Sequence, residues 1–388
     1  MRAQIEQEAR AARAAVGALD DDGVTRALAR AAELVRTRRA AIDAANEADL
    51  AAATTLDEGL RDRLRLDVDA LAGQLAELVD LPPLERVEDG WELDDGLRVE
   101  VRRIPIGVVG ANFEARPNVA VDVAGQLLKS LNGGILRTGG AALRTVTVLV
   151  DDVLRPALVD AGLPPGAIGL VRTPEHEGAR ALVSLPDVLP LVILRGSGET
   201  TAMLAREAAH HGVRVLAHAE GGGVLYIHRA ADPAKVESIV RSSLDRLGVC
   251  NRLNLLLCDD LSQAPLELLA ELGMTVREEL REWANEPDRI ASVTVRVVGG
   301  GVDAAARIAN DETSGLAASI VTEDESAARA FLDAYRGTAA YWNATTRLTD
   351  GFKLTGSPET GINVDRVPGP RGPVTYRDLY LRQYRVTP

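Results

Sequence analysis

Apolar residues follow three rhythms along this chain. Over roughly the first 80 residues they recur every three to four positions, the spacing of amphipathic helices. Leu64, Val68, Leu71, Leu75 and Leu78 predict one buried helical face, and Pro82-Pro83 ends the region. From Trp91 to Ile104 the rhythm shortens to two. Asp95-Gly96 is a hairpin-turn pair, after which Leu97, Val99 and Val101 alternate with charged residues. The tail from 374 to 388 alternates weakly and is expected to add an edge strand. Residues 91–104 and 374–388 are thus read as a ribbon that pairs with another copy, giving a dimer or tetramer.

The third rhythm is strand, turn, helix, repeated. From 105 to about 228 the expected strands are Gly107–Gly110, Gly134–Leu136, Ile168–Val171, Pro190–Leu194, Val213–Leu216 and Val224–Ile227. From 229 to 345 helices 233–247, 263–272 and 324–333 alternate with strands Asn254–Leu257, Ser292–Val298, Ala317–Val321 and Thr338–Trp342. The fold class is α/β with open, mainly parallel sheets, the usual frame for a dinucleotide. Residues 1–90 with 105–228 are assigned to a cofactor domain and 229–355 to a catalytic domain.

Composition narrows the picture. Hydrophobic residues are 46% but aromatics only 3%, so Ala, Val and Leu do the packing. A net charge of −13 argues against nucleic acid or an anionic membrane as partner, while leaving room for a local Arg cluster. Cys250 and Cys258 make no disulfide framework and suit a reducing cytosol. The N-terminus is polar and no apolar run approaches the ~20 residues of a membrane span, so a soluble, cytoplasmic protein is expected. The five histidines lack paired ligand spacing, and no metal is expected.

Cys250 lies between a helical stretch and the apolar run Leu253 to Leu257, a turn where a thiol can meet backbone N–H donors. A small buried core residue is the alternative. In the block Glu114-Ala115-Arg116-Pro117-Asn118-Val119 a buried strand gives way to a polar loop and a helix start. Asn118 is either the helix cap or, with the Cys250 N–H, an oxyanion donor. Glycine turns follow two strands, at Arg137-Thr138-Gly139-Gly140 and Arg195-Gly196-Ser197-Gly198. Their N–H groups suit an anion, or they are simply tight turns.

The run Ile104 to Gly140, including Lys129-Ser130-Leu131-Asn132-Gly133, resembles the glutamate-5-semialdehyde dehydrogenase (γ-glutamyl phosphate reductase) branch of the aldehyde dehydrogenase superfamily. The likeness continues through Arg195-Gly196-Ser197-Gly198, Arg246-Leu247-Gly248-Val249-Cys250-Asn251, the run Asn343 to Gly351, and Arg371-Gly372-Pro373. It implies a Rossmann-type cofactor domain, an α/β catalytic domain and a β-hairpin oligomerisation element. It also implies a Cys250 thiolate that forms a thioester from an acyl phosphate, which NADP(H), or NAD(H), then reduces. Arg116, Arg246, Asn251, Asn254 and Arg347 are the substrate-binding candidates. Arg137, Gly139, Gly196, Ser197, Gly198 and Glu286 are those for the cofactor. An amino-acid kinase is a candidate partner.

The sequence departs from that branch at Asn254, where an acidic residue is usual, and at Gly223-Val224, where a Cys-His pair is usual. It departs also at Gly315-Leu316-Ala317-Ala318 and in a short stretch between Cys258 and Glu282. Glu220, before paired glycines, keeps open a hydrolytic aldehyde dehydrogenase with a carboxylate base. A carrier-thioester reductase and a non-catalytic binding protein remain further alternatives.

Overall fold

A computed structural model describes the chain except residues 57, 95, 197, 219–220, 247–248, 281–291 and 365–371. Five helices precede the first strand: Arg2–Val16, Asp21–Thr37, Arg39–Ala52, Glu58–Leu64 and Val68–Asp80. The expected apolar stripe is fully buried, but two helices share it. Asp67 accepts hydrogen bonds from the N–H groups of Asp69 and Ala70, caps a new helix there, and leaves Leu64 on the shorter one before it.

The hairpin pairs β1 (Val87–Glu92) with β2 (Arg98–Pro105), and Gly96 at φ +82° sits in the tight connection. The tail strand β16 (Tyr380–Thr387) adds antiparallel to β2 along its whole length. Val99 and Val101 turn inward, as their alternation predicts, while Trp91, Leu93, Leu381, Tyr384 and Val386 stay exposed.

Five parallel strands form the first sheet: β3 (Val108–Phe113), β4 (Gly133–Thr138), β5 (Ile168–Leu170), β6 (Leu191–Arg195) and β7 (Arg214–His218). Their order, β5-β4-β3-β6-β7, reverses direction between β3 and β6. The second sheet is also parallel and is built from β8 (Gly223–Ile227), β9 (Leu253–Cys258), β10 (Thr275–Arg277), β11 (Ser292–Val297), β12 (Ala317–Val321) and β13 (Ala339–Trp342). Its order is β10-β11-β9-β8-β12-β13. Strand β8, counted with the first sheet on its apolar pattern, is therefore central to the second. An apolar run marks a strand but not the sheet it joins.

The helix Asn118–Lys129 is buried from Val119 to Lys129 between the first sheet and the N-terminal helices. A Cβ on Gly125 would meet Leu78 at 2.6 Å, so glycine permits that close helix contact. Gln126 of the same helix reaches the C-terminal segment. Its Nε2 donates to Ser357 Oγ at 3.3 Å and to the Pro358 carbonyl, and its Oε1 accepts from the Tyr376 N–H. A short pair, β14 (Gly361–Val364) and β15 (Gly372–Val374), follows that anchor. Among the described residues no helix is long and apolar enough to cross a membrane.

Candidate active site

Cys250 sits in a turn, with the Arg252 N–H donating to the Val249 carbonyl at 3.3 Å, between the helix Pro233–Ser243 and β9. Neighbouring backbone fixes the turn. The Gly222 N–H donates to the Cys250 carbonyl and the Gly223 N–H to the Arg252 carbonyl, each at 2.7 Å. Thr346 Oγ1 donates to the Asn251 carbonyl at 2.8 Å, and a Cβ on Gly223 would collide with that threonine. The half-buried sulfur packs on Leu316 and Ala317 at the start of β12, with Ile362 of β14 and Tyr341 beside it.

This places the thiol between the amino edge of the second sheet and the carboxyl edge of the first. From the first sheet come the residues after β3 and β6, on either side of the point where the strand order reverses. Such a crevice is where open α/β sheets hold ligands. The loop after β3 holds Ala115 at φ +31°, a strained conformation for alanine, just before Arg116. Arg195 pairs with Glu359 at 3.8 Å, and both side chains are largely buried.

The electrostatics of the group are mutual. Burial pushes the Cys250 thiol above its ordinary value, and the nearby positive charges of Arg116, then Arg195 and Arg63, pull it back while Glu359 opposes them. Burial, then the like charge of Arg63, lowers Arg116 to about 10. Burial raises Glu359, partly countered by Arg195. Burial also pushes the Asp122 carboxyl up to about 7, with Arg195 opposing. Three guanidinium groups thus act on one thiol. An Arg116→Gln variant is expected to leave the burial of Cys250 unopposed by its strongest cation. The pH midpoint for alkylation by iodoacetamide should move upward, and the rate at neutral pH should fall several-fold.

Residues 1–262 match the family model described as "Aldehyde dehydrogenase family". The chain belongs to the aldehyde dehydrogenase family. It falls in the γ-glutamyl phosphate reductase branch of that family. It is 31% identical to a γ-glutamyl phosphate reductase of Ligilactobacillus salivarius, over 98% of this chain and 96% of the relative. A relative of the same name from Methylocella silvestris is 35% identical, over 99% and 94%. The crystal structure of γ-glutamyl phosphate reductase from Thermotoga maritima superposes with a TM-score of 0.87 at 28% identity, covering 99% of this chain and 98% of that one. This aldehyde dehydrogenase is therefore an oxidoreductase, and its family takes a nicotinamide cofactor. Two glycine turns follow strands of the first sheet. A Cβ on Gly139 would meet nothing within 4 Å, so the backbone there has an open side for a ligand. Gly198 begins a helix running to His211 beside the crevice.

The other expected residues are placed in different ways. Asn251 and Arg347 clamp the turn: Asn251 Nδ2 donates to the carbonyls of Thr349 (2.9 Å) and Arg347 (3.3 Å), and its Oδ1 accepts from Arg347 Nη1. Arg347 Nε also binds Asp245 at 2.7 Å. Arg137 is buried in a structural tether, donating to Asn112 Oδ1 (3.0 Å) and to the carbonyls of Pro174 and Glu175. Arg246 is exposed and pairs with Asp62 at 3.0 Å, so the cation with the largest effect on the thiol is Arg116. Asn254 lies partly buried on β9, and Gly196 lies close under Glu114. Asn118 does not cap its helix; its Nδ2 donates to Asp122 Oδ2 at 3.1 Å. Ser197, Glu220, Glu286 and Arg371 lie outside the described residues. Arg63, Asp122, Arg195 and Glu359 were not singled out as site residues from the sequence. Two of them had a local signal: Asp122 lies four residues after Asn118 on one helix face, and Arg195 opens the glycine turn after its strand.

Proposed function

We propose that this enzyme reduces an amino-acid-like acyl phosphate, γ-glutamyl phosphate or a close analogue, to its semialdehyde with NADPH, through a thioester on Cys250. The observation that carries this is a half-buried thiol in the turn before β9 on which Arg116 acts as the strongest nearby cation. Arg116, Arg195 and Arg63 bring net positive charge to the place where an anionic substrate must enter. The sulfur of Cys250 attacks the acyl carbon, a C–S bond forms, and the C–O bond to phosphate breaks as phosphate leaves. Asn118 and the Cys250 N–H hold the oxygen that gains charge in that step. When bound, the nicotinamide supplies the reducing equivalents for the thioester. The resulting thiohemiacetal then loses its C–S bond, which frees the aldehyde and returns the thiol.

In this reading the first sheet, with the N-terminal helices, holds the cofactor, and the second sheet carries the nucleophile. The three-stranded sheet of β1, β2 and β16 presents Trp91, Leu381 and Tyr384 to a second copy. A carboxyl kinase would supply the acyl phosphate, and a reducing cytosol would keep Cys250 free.

Running the reaction backwards tests the proposal. With semialdehyde and oxidised cofactor, turnover is expected to require inorganic phosphate and to yield an acyl phosphate that hydroxylamine traps. Phosphate-independent release of the free acid, or a requirement for a carrier thiol in place of phosphate, would overturn it.

A further inference from the structure

We infer that Asp122 is the positioning residue for the side-chain amide of Asn118: its buried carboxylate takes one N–H of that amide, so the second N–H of the same nitrogen is presented to the reacting oxygen. The inference rests on the reading of Asn118 as an oxyanion donor.

An asparagine amide has two nearly isosteric ends, and only one can stabilise an oxyanion. Something must choose between them. Asn118 is the first residue of the helix Asn118–Lys129, and its side chain makes no capping bond that would choose. Its Nδ2 donates to Asp122 Oδ2 at 3.1 Å, one helical turn along. An ionised carboxylate only accepts, so this contact turns the amide nitrogen toward Asp122 and the amide oxygen away. The geometry fixes one orientation before any substrate binds, as oxyanion donors require.

The placement of Asp122 supports a role beyond packing. Its side chain is buried on a helix flanked by apolar residues, and Asn118 is its hydrogen-bond partner among the described residues. A leucine at that site would avoid the cost of burying a carboxyl. Two other charged groups act on it: Arg195, at the end of β6, favours the ionised form, and Glu359, from the segment before β14, opposes it. The same Arg195–Glu359 pair acts on Cys250, so Asp122 and the thiol share two charged neighbours. With burial as the leading cause, its carboxyl titrates at about 7. Below that pH the protonated group is a weaker acceptor, and its hold on Asn118 loosens.

The test compares kcat, KM, pH profile and thermal midpoint for Asn118→Ala, Asp122→Ala, Asp122→Asn and the double variant Asn118→Ala/Asp122→Ala. Asp122→Ala is expected to lower kcat about tenfold or more with KM changed less than threefold. Asp122→Asn keeps the shape and one acceptor oxygen. It should fold like the parent, lose less activity, and show a shallower fall in kcat as pH drops through 7, keeping only the part that the Cys250 thiol imposes. The double variant should be no slower than Asn118→Ala alone, because Asp122 acts only through that amide. Multiplying losses in the double variant, an effect confined to KM, or a pH profile unchanged in Asp122→Asn would each overturn the inference. So would normal Asp122 variants beside an impaired Asn118→Ala, which leaves the oxyanion reading intact. A near-normal Asn118→Ala would sink that reading and the inference together.

Discussion

Cys250→Ala is expected to lose turnover by roughly 10⁴-fold or more, in either direction, while remaining folded and able to bind the nicotinamide. The chain's one other thiol cannot take over the step. Cys258 closes β9 and is fully buried, with burial raising its thiol to about 11. None of the contacts described for the turn uses the Cys250 side chain: the Gly222 N–H meets the Cys250 carbonyl, Thr346 Oγ1 the Asn251 carbonyl, and Asn251 is held by Arg347 and Thr349. Removing the sulfur therefore leaves them in place, and the thermal midpoint should barely move. The sulfur packs on Leu316, Ala317 and Ile362 at the edge of the core, so its loss opens only a small gap. Steady-state rates with semialdehyde, phosphate and oxidised cofactor, together with a fluorescence titration of the cofactor, check both halves. Appreciable turnover in this variant would remove the thioester from the mechanism.

The architecture was legible because short apolar runs and glycine turns report strands directly. Expected strands such as Ala317–Val321 appear as read, and others, such as Asn254–Leu257 within β9, differ by a residue or so at their ends. What the pattern could not carry was partnership. Strand β8 reads like its predecessor β7 but pairs with β9 and β12, because the chain passes from one sheet to the other between His218 and Gly223. The site followed the same division. Cys250 and the Arg116-Pro117-Asn118 block stood out locally, and the fold brings them to facing edges. Arg246 looked close to Cys250 along the chain yet points to solvent. Arg195 and Glu359, which are 164 residues apart, meet in the crevice. Asn251 and Arg347 were expected to touch substrate, and in the structure they also bond to each other, since a tight turn beside a nucleophile must itself be held. Charge partners chosen by tertiary contact leave no periodic trace in a sequence.

Asn118→Ala is expected to lower kcat by ~10² to 10³-fold, the usual loss for one oxyanion donor, with a much smaller effect on KM. The Asn118 side chain holds little of the local structure. It makes no capping bond, so its loss should not unravel the helix start, where Pro117 already supplies a fixed φ and needs no N–H donor. Its one hydrogen bond goes to Asp122, which the substitution leaves as a buried carboxyl with a raised pKa. That group can take up a proton near neutral pH, so the stability cost should be modest. The catalytic cost is different in kind. Charge builds on the substrate oxygen twice, when Cys250 attacks and again when the thioester is reduced, and both times one of two donors would be missing. A loss in kcat with KM and thermal midpoint nearly unchanged identifies a donor that acts in the transition state. A loss of stability with kcat preserved would instead make Asn118 a structural residue of the helix.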